Sequence, residues 1–129
     1  MDRIVKVFYS LKKTLPGIKC AMIGNGIMLK KVREMIHDFN LAKNIELPGF
    51  QKEIASYYRS SKTLILMSRS EGMPNCMLEA MASGCVPVVP EVGNITESAF
   101  HEENSFVVEN PFDIDKFAQY LHYSLHPMN

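Results

Sequence analysis

Two glutamates eight positions apart, Glu71 and Glu79, bracket the part of this chain whose residue types could do chemistry. Between them stand Gly72, Met73, Pro74, Asn75 and Cys76. Pro74 suits the first position of a helix, where the N–H it lacks would have no intrahelical acceptor anyway. A helix starting there directs the amides of Asn75, Cys76 and Met77 outward at the positive end of its dipole. That is a ready anion site, for which a diphosphate is an obvious candidate. Gly72 removes a side chain where a ligand can approach the backbone closely. Helical spacing puts Asn75, Glu79 and Ser83 on one polar stripe and assigns Met77, Leu78, Met81 and Ala82 to the core side. A carboxylate accepts two hydrogen bonds well, so Glu79 suits a vicinal pair of sugar hydroxyls. The same residues also suit a solvated helix face on which Glu71 only favours the helix start by its charge. Residue chemistry alone leaves both readings open.

Positioning such a site takes a particular kind of scaffold. Helix-like and strand-like segments alternate along the chain, which predicts an α/β domain with a mainly parallel sheet, taken as one domain over residues 1–129. Ile4, Val5, Phe8, Leu11 and Leu15 recur at helical spacing up to Pro16-Gly17. Ile18–Ile23 reads as a buried strand, Gly24-Asn25-Gly26 as a tight turn, and Met28–Phe39 as a helix using Val32, Met35, Ile36 and Phe39. A short strand, Ile45–Leu47, is closed by Pro48-Gly49, and Ile54–Ser60 forms a short helix with Tyr57 and Tyr58 half-buried. Thr63–Met67 is the clearest strand. The loop 68–73 follows it, then a helix from Pro74 to Ser83 stopped by Gly84. Val86–Pro90 is a strand that its prolines make start and end sharply. One or two helical turns over Ile95–Phe100, a strand over Phe106–Glu109 and a helix over Asp113–Leu125 complete the pattern. In open parallel sheets, ligands bind beyond the carboxyl ends of the strands, which is where the loop before Pro74 falls.

Composition narrows the classes of function. The chain has 129 residues and 47% hydrophobic content, enough for one core. Fourteen basic and fourteen acidic side chains leave no net charge, so the basic field of a nucleic-acid binder is absent. The longest apolar run, Thr63–Met67, is strand-sized, and charges interrupt the first residues where a signal peptide would need an apolar stretch. Cys20, Cys76 and Cys85 are odd in number and form no Cys-x-x-Cys pair, and the four histidines share no ligand spacing. Free thiols in a reducing cytoplasm and no metal site are the expectation.

The run Ser68-Arg-Ser-Glu-Gly-Met-Pro-Asn-Cys-Met-Leu-Glu-Ala-Met-Ala-Ser-Gly-Cys-Val-Pro-Val-Val89 resembles the donor-site segment of retaining GT-B glycosyltransferases of the group 1, or family 4, type. That family carries a Glu, seven arbitrary residues and a second Glu, followed by Ala-Met-Ala-x-Gly. Ile23-Gly-Asn-Gly26 resembles its Gly-x-Gly turn, Leu47-Pro-Gly-Phe50 its next strand end, and Glu91-Val-Gly-Asn-Ile-Thr-Glu97 its Val-Gly-Gly-x-x-Glu loop. The resemblance implies a Rossmann-like three-layer α/β domain with a mainly parallel sheet, half of a GT-B fold. It implies Glu79 on the ribose hydroxyls of a UDP- or GDP-sugar, Glu71 on the transferred sugar and the amides of Asn75 and Cys76 on the diphosphate. Gly24, Gly26, Phe50, Gly72, Met73 and Pro74 complete the donor contacts, with no metal and no cofactor. Placement in the cytoplasm follows, peripheral at the inner face of the membrane for the full-length enzyme.

Against that family pattern, the expectation is that the first strand, with the Arg and Lys that grip the diphosphate, and the N-terminal acceptor domain are absent. The expectation is a fragment inactive alone, with an unpaired sheet edge that invites a dimer. Asn94 stands where Gly is usual, and Ser105 follows Asn104 where the family has Gly. A different class, a non-catalytic nucleotide-binding or regulatory module with the same half-fold, shares these features. The sequence encoded upstream would separate the two.

Overall fold

A computed structural model describes residues 2–23, 29–49, 51–67 and 75–125. They fall into two compact units, Met1–Glu53 and Ile54–Asn129.

The first unit contains α1 (Asp2–Leu11), β1 (Cys20–Ile23), α2 (Leu29–Asp38) and β2 (Ile45–Gly49). Val5, Val7, Phe8 and Leu11 of α1 are buried with Met22, Val32, Ile36, Leu41 and Ile45. The apolar stripe continues to Leu15, but α1 stops at Leu11. Beyond it the Thr14 amide and hydroxyl and the Leu15 amide all converge on the Leu11 carbonyl. α2 closes with a left-handed Asn40 (φ 57°), the amides of Asn40 and Leu41 returning to His37 and Ile36 at 3.1 and 2.8 Å. Buried Leu41 and Ile36 complete this helix stop.

β1 and β2 are parallel, with Cys20 opposite Ile45 and Ile23 opposite Gly49, and the register shifts between Ala21 and Ile23. The shift gives β2 an extra residue around Pro48, which has no N–H to offer the ladder. The strand therefore continues through Gly49 instead of closing at Pro48. β1 is not buried throughout as expected: Met22 is buried, but Ala21 is exposed. Buried Asn44 ties the approach to β1 onto the start of β2. Its amide nitrogen donates to the carbonyls of Pro16 (3.0 Å) and Ile18 (2.9 Å), and its carbonyl accepts from Cys20 N–H at 2.8 Å.

The second unit holds α3 (Ala55–Ser60), β3 (Thr63–Ile65), α4 (Asn75–Ala82), β4 (Val86–Pro90), a single 3-10 turn (Ile95–Glu97), β5 (Phe106–Val108) and α5 (Ile114–Leu125). Its sheet is parallel in the order β3-β4-β5. Side chains alternate across it. Leu64, Val89 and Val107 meet Met77 of α4 with Ile95 and Ala99, while Thr63 on the opposite face bonds Ser124 of α5 at 2.9 Å. Helices thus cover both faces of the sheet, giving the expected three layers.

Two prolines sit in the central strand at no cost to the ladder. Val86 N–H donates to Lys62 and Leu66 N–H to Val88, so even-numbered residues of β4 face β3; Glu91 N–H donates to Val108, so odd-numbered ones face β5. Pro87 therefore faces β5 before that strand begins, and Pro90 faces β3 after it has ended.

Candidate functional site

α4 begins at Asn75 and follows β3, so its start lies at the carboxyl end of a parallel strand, where ligands of such sheets bind. Asn75 and Glu79 are exposed and Ser83 is half-buried, as expected of a polar stripe. The core side differs from expectation. Met77 and Ala80 are fully buried and Cys76 and Met81 partly so, whereas Leu78 is 38% exposed and Ala82 is exposed. Ala80 does what Leu78 was assigned: its small side chain packs with Tyr58 and Cys85, and Cys76 lies against that group.

The end of α4 is held tightly. Gly84 adopts φ +94°, its amide returns to Met81 at 3.1 Å and the Cys85 amide to Ala80 at 2.9 Å. Buried Cys85 and Ala80 make the accompanying contact, and the Cys85 thiol donates to the Tyr58 carbonyl at 3.1 Å. Burial pushes the Cys85 thiol up from its ordinary value. Burial also raises the Tyr58 hydroxyl, with further contributions from Cys76, Glu79 and Cys85. Tyr58 thus lies within electrostatic reach of Glu79. Sequence reasoning gave it no part in the site; the pattern around it marked only a half-buried aromatic on a short helix.

Of the expected donor contacts, Asn75, Cys76 and Glu79 share the first turns of α4. Glu71, Gly72, Met73 and Pro74, together with Gly24, Gly26 and Phe50, lie outside the described residues. A separate cleft of about 430 Å³ opens beyond the ends of β4 and β5. Glu91, Glu109 and Asp113 line it against one lysine, Lys116, so it is a poor place for a diphosphate. Among the described residues, no helix is long and apolar enough to cross a membrane, and no three His, Cys, Asp or Glu side chains are grouped to hold a metal ion.

Three comparisons extend these observations. The family described as "Glycosyl transferases group 1" matches residues 1–127. The UDP-Gal:alpha-D-GlcNAc-diphosphoundecaprenol alpha-1,3-galactosyltransferase of Escherichia coli is 28% identical over 108 residues, covering 83% of this chain and 28% of that protein. The C-terminal domain of LpcC, a group 1 glycosyl transferase of Francisella tularensis, superposes with a TM-score of 0.85 at 26% identity, covering 97% of this chain and 68% of the other. A Staphylococcus aureus TarM variant in complex with fondaparinux, alpha-GlcNAc-glycerol and UDP superposes with a TM-score of 0.91 at 24% identity, covering 97% of this chain and 25% of the other. The fold and the start of α4 define a glycosyltransferase domain of GT-B type. The chain belongs to the group 1 glycosyl transferases. It spans from 17% to 31% of the length of the first curated relatives it matches.

Proposed function

We propose that this chain is the nucleotide-sugar-binding part of a retaining glycosyltransferase that moves a hexose-type sugar to a glycan or lipid-linked acceptor. The observation that carries the reading is the placement of Glu79. It is exposed one turn into α4, on the same stripe as Asn75, and follows a parallel strand whose carboxyl end is the usual ligand side. In this reading Glu79 accepts hydrogen bonds from the ribose hydroxyls, and the Asn75 and Cys76 amides meet the diphosphate. Glu71 contacts the transferred sugar, with Gly72, Met73 and Pro74 beside it, and Gly24, Gly26 and Phe50 are further donor contacts. Charge developing on the leaving diphosphate is met by helix-start dipoles without a metal. UDP in the TarM complex and the UDP-galactose named for the E. coli relative support a uridine nucleotide over guanosine. The reaction is placed in the cytoplasm, at the inner face of the membrane.

Titrating the chain with UDP-, GDP- and ADP-sugars, followed by amide NMR, tests this. The UDP-sugar should shift Asn75, Cys76 and Glu79, with a Kd on the order of ~1 mM. Hydrogen bonds to a charged group contribute about 1.5–3 kcal/mol, so Glu79→Ala should weaken binding roughly tenfold or more. Equal binding by Glu79→Ala removes the ribose role.

A further inference from the structure

The side of β5 that faces away from β4 is held by a histidine. Val107 pairs with Val89, and the Val108 carbonyl accepts from Glu91 N–H, so the Val107 N–H points away from β4. There it donates to His101 Nδ1 at 3.0 Å, and His101 is bridged to Ser105 alongside. A ring nitrogen accepts only while it carries no proton, so this bond belongs to the neutral imidazole with its proton on Nε2. Packing holds the ring, with the Tyr120 and Phe106 centroids 5.2 and 6.2 Å from its own. The side chain is still 38% exposed, so it can exchange protons with solvent.

A charged ring has other partners within reach. Nε2 lies 3.4 Å from the Glu102 carboxylate, and Glu103 is exposed in the same turn. His101 also lines the cleft beyond β4 and β5, together with Glu91 after β4, Glu109 after β5 and Asp113 before α5. Against these carboxylates stands Lys116, held over the Tyr120 ring at 5.4 Å. A proton added to Nδ1 points at the Val107 N–H, while the positive charge is drawn to the carboxylates. The closed turn also carries a cost of its own. Ser105 Oγ is buried without a hydrogen-bond partner among the described residues, and Glu102 holds a left-handed φ of 64°. The Val107 bond offsets that cost.

We propose that His101 is a pH-sensitive latch on β5. The neutral imidazole holds the Val107 N–H and keeps the turn 100–105 against the strand. When the ring takes a proton, Nδ1 ceases to accept, the Val107 bond breaks and the imidazolium turns to the carboxylates of the cleft. The latched state binds fewer protons than the open one, so lowering the pH favours opening. Histidine ordinarily changes charge between about pH 5 and 8, so the latch is shut at the upper end of that range and open at the lower. Release stays local, because Asn104 braces the base of the turn. Its side-chain oxygen accepts from Phe100 N–H at 2.8 Å and its amide nitrogen donates to the Ser98 carbonyl at 2.9 Å.

Amide exchange of the 129-residue chain tests the latch, read by NMR at about pH 7.5 and about pH 5 and corrected for the intrinsic rate. Protection of Val107 should fall several-fold, up to about tenfold, at the lower pH, as one hydrogen bond is lost. Val89, on the ladder between β4 and β5, should keep its protection. His101→Asn offers a carbonyl oxygen close to where Nδ1 sits and has no proton to gain, so Val107 should stay protected at both values. His101→Ala should leave it weakly protected at both. Wild-type protection of Val107 that does not change with pH overturns the proposal, and so does a His101→Asn protein that loses it as the wild type does. Should His101→Asn not fold, the imidazole nitrogen shifts of the wild type decide. An unprotonated Nδ1 at about pH 7.5 that gains its proton as Val107 loses protection supports the latch, and a proton already on Nδ1 refutes it.

Discussion

Cys20 shows how one half-buried thiol ties the fold to pH. Burial first, and the neighbouring Glu46 second, push it from 9.0 up to about 12. The folded state therefore holds the neutral thiol at pH values where the unfolded chain has already released its proton. Above about pH 9 the unfolded state binds fewer protons, so stability falls as pH rises toward 12, and below that window the thiol adds no pH dependence. The urea midpoint should drop between about pH 8 and about pH 10.5, and Cys20→Ala should drop less steeply over the same range. Parallel slopes for the two proteins would remove Cys20 as the cause. Other residue-level features were visible beforehand only in part. Asn75 and Glu79 fall on the exposed stripe that their spacing implied. Tyr58 could not be found that way, because it reaches the Ala80 side of α4 through packing of α3 on α4 and no local spacing records it.

At the scale of the element, α4 explains both the success and the failure of periodicity. Its existence and polar side were legible from Asn75, Glu79 and Ser83. Its buried side was not, since Cys76, Met77, Leu78, Ala80, Met81 and Ala82 surround the rest of the helix with apolar residues, and hydrophobicity cannot rank them. Close approach of α3 decided for Ala80. The end of the helix was legible from Gly84, whose φ of +94° is left-handed and open to solvent, with nothing within 4 Å of an added Cβ. Gly84→Ala therefore meets no clash, only the backbone penalty of a left-handed residue, about 1–2 kcal/mol. Chemical denaturation should show a loss of that size with the native far-UV spectrum kept. A larger loss would mean that Gly84 has a packing role. The same limit applies to α1 and β2: Pro16 and Pro48 read as stops in the sequence, but α1 ends before the first and a register shift carries β2 past the second.

For the whole molecule, the α/β class and the parallel strands could be read from the alternation of segments, and the family from the run 68–89. The partition into two units could not, because it reflects which strands bond to which, and no residue in β1 or β3 announces its pairing partner. The chain spans under a third of the length of its first curated relatives. Transfer between two substrates needs both held in near-attack geometry. On the proposed reading, donor binding alone should give no sugar transfer to any acceptor from a mixed glycan and lipid-linked set, in an assay that a full-length relative passes. Turnover by the 129 residues would show that an acceptor site is already present.

The prolines of β4 set how this fold can be watched. Pro87 and Pro90 carry no amide proton, so the central strand of the second unit offers amide signals from Val86, Val88 and Val89 alone. Two of the three, Val88 and Val89, have fully buried side chains. Any hydrogen-exchange or relaxation study thus sees the middle of this sheet through three protons. Val86 and Val88 report on the ladder to β3, and Val89 on the ladder to β5. Each strand-to-strand seam of the sheet therefore has its own spectroscopic label, and loosening of either one would be separable in a single spectrum.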